Sequence, residues 1–141
     1  MQTSTSRQLK FLGMLLFLLG LITGMVLMSF TNPRMGLSAH LEGVMNGLFL
    51  IAAGFLWNEL RLSSGWQKAA YWLLLYGTFA NWSFTLLSAI LGTSKITPIA
   101  GAGHTGTDMQ EAVLSAGFTS VGITMVLAVS ILLYGLRPLK S

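Results

Sequence analysis

Three side chains that can do chemistry lie close together at the start of an otherwise apolar segment. His40, Glu42 and Asn46 fall within seven residues. Ionisable groups are costly to place at the edge of a bilayer, so in membrane segments they mark functional sites by default. An imidazole binds metals or moves protons, a carboxylate moves protons, and an amide orients a substrate. The segment therefore predicts a site that combines a ligand, an acid–base group and a positioning group.

The expected position of His40 on its helix favours metal binding. Ser38 is a suitable N-cap, which would place His40 in the first helical turn, where partial positive charge disfavours imidazolium. The neutral imidazole is the form that binds metals. Gly43 and Gly47 share the face of His40, leaving room for a flat macrocycle or for a second helix. From the residues alone both roles of the glycines stay open, and His40 is either a metal ligand or a backbone-bonded polar residue.

A second group of polar side chains follows one face of a later apolar segment. Asn81 lies in this stripe, with Gly77, Thr85 and Ser88 at helical spacing, and we expect the stripe to face protein. Glu42 and Asn46 are four residues apart and share a helix face. For all three polar residues, interhelical hydrogen bonds are the alternative to catalysis. The second histidine, in a glycine-rich loop, is expected on the side of the membrane where His40 lies.

The composition predicts an all-α integral membrane four-helix bundle. Of 141 residues, 53% are hydrophobic and 9% are charged, whereas soluble domains have about 25% charged residues. Four apolar stretches predict helices over about 9–30, 39–58, 69–92 and 112–136, in one domain covering 1–141. The absence of cysteine excludes disulfides, thiolate-ligated metals and iron–sulfur clusters.

The cations of the chain predict its orientation and exclude one class of partner. They are scattered beside the apolar stretches and form no basic patch, so we expect no nucleic-acid partner. Six of the eight cations fall on one side of a four-span chain, at Arg7, Lys10, Arg61, Lys68, Arg137 and Lys140. The positive-inside rule then predicts a multi-pass membrane protein with both termini in the cytoplasm.

Two segments carry a resemblance to a known family. LLFLLGLITG at 15–24 and NPRMGLSAHLEGVMNG at 32–47 resemble the bacterial hydroxylaminobenzene mutases. These are small four-span membrane enzymes that rearrange arylhydroxylamines to aminophenols. More distantly the chain is similar to styrene oxide isomerase, which shares the Ala-His pair at Ala39 and His40 and an Asn-Gly pair that begins six residues beyond the histidine. Asn81, with the alanine before it, also matches the isomerase pattern.

The resemblance implies a cofactor and a role for each site residue. His40 is implied to be the axial ligand of a haem b whose iron acts as a Lewis acid, with Gly43 and Gly47 beside it. Asn46 and Asn81 would orient a small aromatic substrate, and Glu42 would move a proton. The implied assembly is a homo-oligomer in the membrane, a trimer as in the isomerase family.

Two other functions stay open beside the mutase. The isomerase has a catalytic tyrosine at the position aligned with Thr85, so the residues favour the mutase over an epoxide isomerase. The alternative from another class is a non-catalytic membrane transporter or scaffold. Glu42 would then be a coupling carboxylate on a cation path.

Overall fold

Four long helices form the molecule, which a computed structural model describes for residues 4–138. They are α1 (Ser4–Val26), α2 (Pro33–Leu56), α3 (Ser64–Leu91) and, after a short helix α4 (Pro98–Gly101), α5 (Asp108–Gly135). Short 3-10 turns extend α1 and α2. With these turns the four long helices have 26 to 28 residues each, and all are apolar enough to cross a membrane. The prediction of an all-α membrane bundle is confirmed.

The helices pack on one another in chain order. α1 lies along α2, α2 packs on α3, and α3 packs on α5. The buried core joins all four long helices through Leu16 of α1, Leu50 of α2, Leu74 of α3 and Leu132 of α5. Because α2 lies between α1 and α3, its side chains contact both neighbours, and these two contacts position the site.

Each long helix begins four to six residues earlier than the apolar stretches predict. The first turns are polar, and polar caps rather than apolar residues start the helices. Asn32 caps α2: its side chain accepts a hydrogen bond from the backbone N–H of Met35 at 3.1 Å. Thr107 caps α5 in a reciprocal pair with Gln110. Hydropathy marks the membrane core of a helix, so it misses these turns.

The prediction that Ser38 caps α2 was wrong. Ser38 lies inside the helix, and its hydroxyl donates to the carbonyl of Arg34 at 3.4 Å. With Pro33 as the first helical residue, His40 lies about two turns into α2. The helix dipole acts mainly within the first turn, so it no longer supports a neutral imidazole at His40.

Asn32 also joins the two loops at the end where α2 begins. Its side-chain amide donates to the carbonyls of Ala100 and Gly101, at 3.0 and 2.9 Å. Its backbone N–H donates to Ala89 at the end of α3, at 3.0 Å. The α1–α2 connection and the α3–α5 loop therefore form one anchored surface above the start of α2.

A carboxylate of α5 also holds the α3–α5 loop, through several backbone N–H groups. Glu111, in the first turns of α5, accepts hydrogen bonds from the backbone N–H groups of Ser94, Lys95 and Gly106 at 2.9 to 3.2 Å. His104, in the same loop, directs Nδ1 to the carbonyl of Gly101 at 3.1 Å. The second imidazole is thus bonded within its own loop.

The start of α1 and the end of α5 lie at the same end of the bundle. The loop between α2 and α3 lies there too, where Arg61 N–H donates to the carbonyl of Gly135 at 3.0 Å. Of the six cations predicted to share this end, Lys140 lies outside the described residues. Which side of the membrane this end faces stays a prediction.

Candidate active site

The imidazole of His40 is held by a backbone carbonyl of α1. Its Nδ1 lies 2.8 Å from the carbonyl oxygen of Gly20. A carbonyl only accepts hydrogen bonds, so Nδ1 carries the proton. In the neutral ring the lone pair is then on Nε2, which is the arrangement of a metal-binding histidine oriented by a second partner. The side chain is half-buried.

Gly24 makes the space that the imidazole occupies. A Cβ atom built on Gly24 would lie 2.6 Å from Nδ1 of His40 and 3.0 Å from two ring carbons. The spacing of Gly20 and Gly24 predicts close packing with a second helix, and the structure agrees. The sequence does not show that one glycine supplies the carbonyl for His40 while the other leaves room for the ring.

Gly43 and Gly47 face α1, within the same chain. A Cβ on Gly43 would come within 3 Å of the backbone of Gly20, and one on Gly47 within 3 Å of the backbone of Phe17. The two glycines therefore let the α1 and α2 backbones approach closely. The face on which a macrocycle was expected to lie is occupied by α1, so a macrocycle bound to His40 would approach from outside this helix pair.

The three polar residues predicted to act on the substrate form one cluster between α2 and α3. Oε2 of Glu42 accepts a hydrogen bond from the amide of Asn46 at 3.1 Å and a second, short one from the amide of Asn81. The Asn46 amide also lies 3.5 Å from the carbonyl of Thr78. Asn46 is buried, and Glu42 and Asn81 are half-buried. The cluster thus joins two helices inside the membrane-spanning region.

His40 and the Glu42 cluster lie on different faces of α2. Residues two positions apart on an α-helix differ by about 200° in direction around the helix axis. Accordingly His40 contacts Gly20 and Gly24 of α1, whereas Glu42 contacts Asn81 of α3. The sequence placed these groups in one segment, and the structure does not bring them onto one face of the same chain.

Trp82 is a residue near the site whose place the sequence did not reveal. Its indole N–H donates to the hydroxyl of Thr23 on α1 at 3.3 Å, and its ring edge covers Gly43. Trp82 therefore connects α3 to α1 across Gly43 of α2. A tryptophan in a membrane helix first indicates an interfacial belt, and only the packing shows this interior contact.

The rest of the polar stripe on α3 faces protein, as predicted. Gly77, Thr85 and Ser88 are buried. The hydroxyl of Thr85 donates to the carbonyl of Asn81 at 2.8 Å. The Thr85 hydroxyl therefore makes its hydrogen bond within α3. No group of three or more histidine, aspartate or glutamate residues within 4–138 is placed to hold a metal ion, so the metal-ligand prediction rests on His40 alone.

Comparison with known proteins identifies the family. Residues 5–137 match the model of the styrene oxide isomerase family. The chain is 47% identical to hydroxylaminobenzene mutase HabB of Ectopseudomonas oleovorans over 133 residues, 94% of this chain and 81% of the relative. It is 46% identical to hydroxylaminobenzene mutase HabA of the same organism over 125 residues, 88% of this chain and 93% of the relative. No solved structure matches. The prediction of an enzyme of the isomerase and mutase type is confirmed, and the chain belongs to the styrene oxide isomerase family.

Proposed function

We propose that this chain is a membrane-bound mutase that rearranges hydroxylaminobenzene-type arylhydroxylamines to 2-aminophenols. Its similarity to two hydroxylaminobenzene mutases over most of the chain supports this reaction. The structural observation that carries the proposal is the imidazole of His40. Its Nδ1 is hydrogen-bonded to the carbonyl oxygen of Gly20, which leaves Nε2 available as a ligand.

We further propose that His40 holds a haem b through Nε2. The residues present would fit a haem, because one imidazole can hold the iron and the Gly20 carbonyl would fix the ring, as second partners of histidine ligands do. When bound, the haem iron supplies a Lewis acid that weakens the bond between oxygen and nitrogen. Gly24 leaves the space that keeps the imidazole in this orientation.

The reaction moves a hydroxyl group without net oxidation. The N–O bond breaks, a C–O bond forms at the ortho carbon, that carbon loses a proton, and the nitrogen gains one. Glu42 would take the proton at Oε1 and return it to nitrogen. Asn46 and Asn81 hold the carboxylate in place through their N–H groups, and their side-chain oxygens would help to orient the substrate. Apolar surroundings with few waters favour migration over capture of solvent.

The proposed assembly is a homo-oligomer, a trimer in the related isomerase. Two features of the single chain support an interface at the site. The glycine face of α2 is filled by α1, and His40 and Glu42 point to different neighbours. A pocket that uses both groups is therefore best completed by the surface of a second copy. We place the oligomer in the bacterial inner membrane with both termini in the cytoplasm.

One experiment tests the reaction and the cofactor together. Protein purified in mild detergent after expression with ample haem should show a Soret band. It should convert hydroxylaminobenzene to 2-aminophenol without NAD(P)H or oxygen. In water labelled with oxygen-18 the product should keep the oxygen of the substrate. His40→Ala should lose most of the band and the activity, whereas His104→Ala, at the chain's other histidine, should keep both.

Two results would reject these proposals separately. Colourless wild-type protein would exclude the haem and leave the four-helix fold intact. Full incorporation of solvent oxygen would exclude intramolecular transfer. Colourless protein that turns over neither hydroxylaminobenzene nor styrene oxide would support a transporter or scaffold instead.

The second candidate is an epoxide isomerase, which the match to the family model favours. Thr85 argues against it, because the residue aligned with the isomerase tyrosine is buried and its hydroxyl is bonded to Asn81. Turnover of styrene oxide but not of hydroxylaminobenzene would decide for this candidate.

A further inference from the structure

The hydrogen bonds of the Glu42 cluster leave mostly acceptor atoms free. Both asparagine amides direct their N–H groups to the same oxygen, Oε2 of Glu42. The second N–H of Asn46 points to the carbonyl of Thr78. Within residues 4–138, Oε1 of Glu42 and the side-chain Oδ1 atoms of Asn46 and Asn81 accept no hydrogen bond. The cluster therefore offers three acceptor oxygens to a ligand against one remaining N–H, on Asn81.

We infer that Glu42 is a specificity-determining residue that selects aromatic substrates with hydrogen-bond donors over isosteric substrates without them. An arylhydroxylamine carries an N–H and an O–H, and both can donate to Oε1. An epoxide carries only an acceptor oxygen, which gains nothing from an acceptor cluster and leaves Oε1 desolvated and unpaired. The inference rests on the proposed function, because it assigns the substrate preference of that same site.

Replacing Glu42 by glutamine turns the free hydrogen-bond acceptor at Oε1 into a hydrogen-bond donor. The glutamine oxygen must face the amides of Asn46 and Asn81, since its NH2 group there would meet their N–H groups. The NH2 group then takes the place of Oε1. A carboxylate that accepts is thus exchanged for an amide that donates, with nearly the same shape. The preference for ligands with N–H or O–H groups should fall, and a ligand that only accepts hydrogen bonds should bind more tightly.

Binding measured without turnover tests the inference directly. The ligands are aniline and N,N-dimethylaniline, which share a ring; the second has two methyl groups in place of the two N–H hydrogens, and the comparison between variants cancels this difference in size. Binding is measured to wild type, Glu42→Gln and Glu59→Gln in nanodiscs, with empty nanodiscs subtracted. Glu59 is exposed at the far end of α2, so its variant makes the same chemical change away from the cluster. Wild type and Glu59→Gln should prefer aniline by about 10- to 100-fold, and Glu42→Gln should lose most of this ratio.

Each outcome decides for or against the inference. Equal binding of the two ligands by wild type would overturn it, and so would an unchanged ratio in Glu42→Gln. A wild-type preference for N,N-dimethylaniline would show that Glu42 donates a proton to the ligand, and would also overturn it. Where Glu42→Gln does not fold, N-methylaniline, which has one N–H group and one methyl group, separates size from hydrogen bonding in wild type. It should bind closer to aniline than to N,N-dimethylaniline, and equal binding of the two methylated ligands would overturn the inference. Aniline preference without turnover of hydroxylaminobenzene would support the selectivity and reject the proposed reaction.

Discussion

The His40 ring occupies the space that a Cβ atom on residue 24 would fill, and Gly24→Ala tests whether the ring position depends on this glycine. The added Cβ would lie 2.6 Å from Nδ1 of His40, about 0.8 Å closer than an ordinary contact of 3.4 Å. The imidazole is a side chain and can move, so we expect the ring to shift by about that distance. Its hydrogen bond to the carbonyl of Gly20, 2.8 Å long, would then lengthen or break.

The expected cost falls on function more than on stability. Alanine is favoured over glycine inside a helix by about 1 kcal/mol, which offsets part of the strain from the shifted ring. A displacement near 1 Å at a reacting group costs about 100-fold in rate. We therefore expect a 10- to 100-fold loss of hydroxylaminobenzene turnover, with a thermal midpoint close to that of wild type.

The matched control is Gly122→Ala, on an exposed stretch of α5 where a Cβ would meet nothing within 4 Å. Turnover and thermal unfolding of both variants are measured in the same detergent. Gly122→Ala should keep wild-type turnover. Wild-type turnover in Gly24→Ala would refute the argument that the Gly24 contact holds the His40 ring in its working position. A large loss of stability together with activity would show that the helices had separated instead.

Three further outcomes are expected. In Glu111→Ala, amide hydrogen exchange in the 92–107 loop should become faster, because three backbone N–H groups lose their acceptor. The control, Asp108→Ala, should leave the exchange rate unchanged. Equal exchange rates in the two variants would contradict the role of Glu111. A reporter at the carboxyl end of the chain should be cytoplasmic, and a periplasmic location would reverse the orientation. Co-expressed His40→Ala and Glu42→Gln chains should recover part of the lost activity if the site lies between subunits, and none if each chain holds a complete site.

The fold follows from the sequence because a membrane leaves little choice. Apolar stretches of about 20 residues without water for their backbone groups must form helices, and all four were located. Their starts were not, since polar caps such as Asn32 and Thr107 lie outside the apolar stretches. Close packing of α1 on a second helix was also predicted, because Gly20 and Gly24 are four residues apart; which helix it packs on was not.

The residues of the site were named from the sequence, but their arrangement was not. Glu42, Asn46 and Asn81 are separated by up to 39 residues, and their shared hydrogen bonds depend on how α2 meets α3. The roles of the glycines were open because a groove for a cofactor and a groove for a helix have the same sequence pattern. Gly43 and Gly47 face α1, which only the packing of the two helices decides.

The central place of α2 explains why one helix carries both kinds of chemistry. The proposed ligand, His40, is held by the backbone of α1, which packs through close glycine contacts. The proposed acid–base group, Glu42, is held by two amides of α2 and α3 while one of its oxygens stays free. The two groups therefore lie on different faces of α2, so joining them in one pocket depends on a surface beyond the single chain.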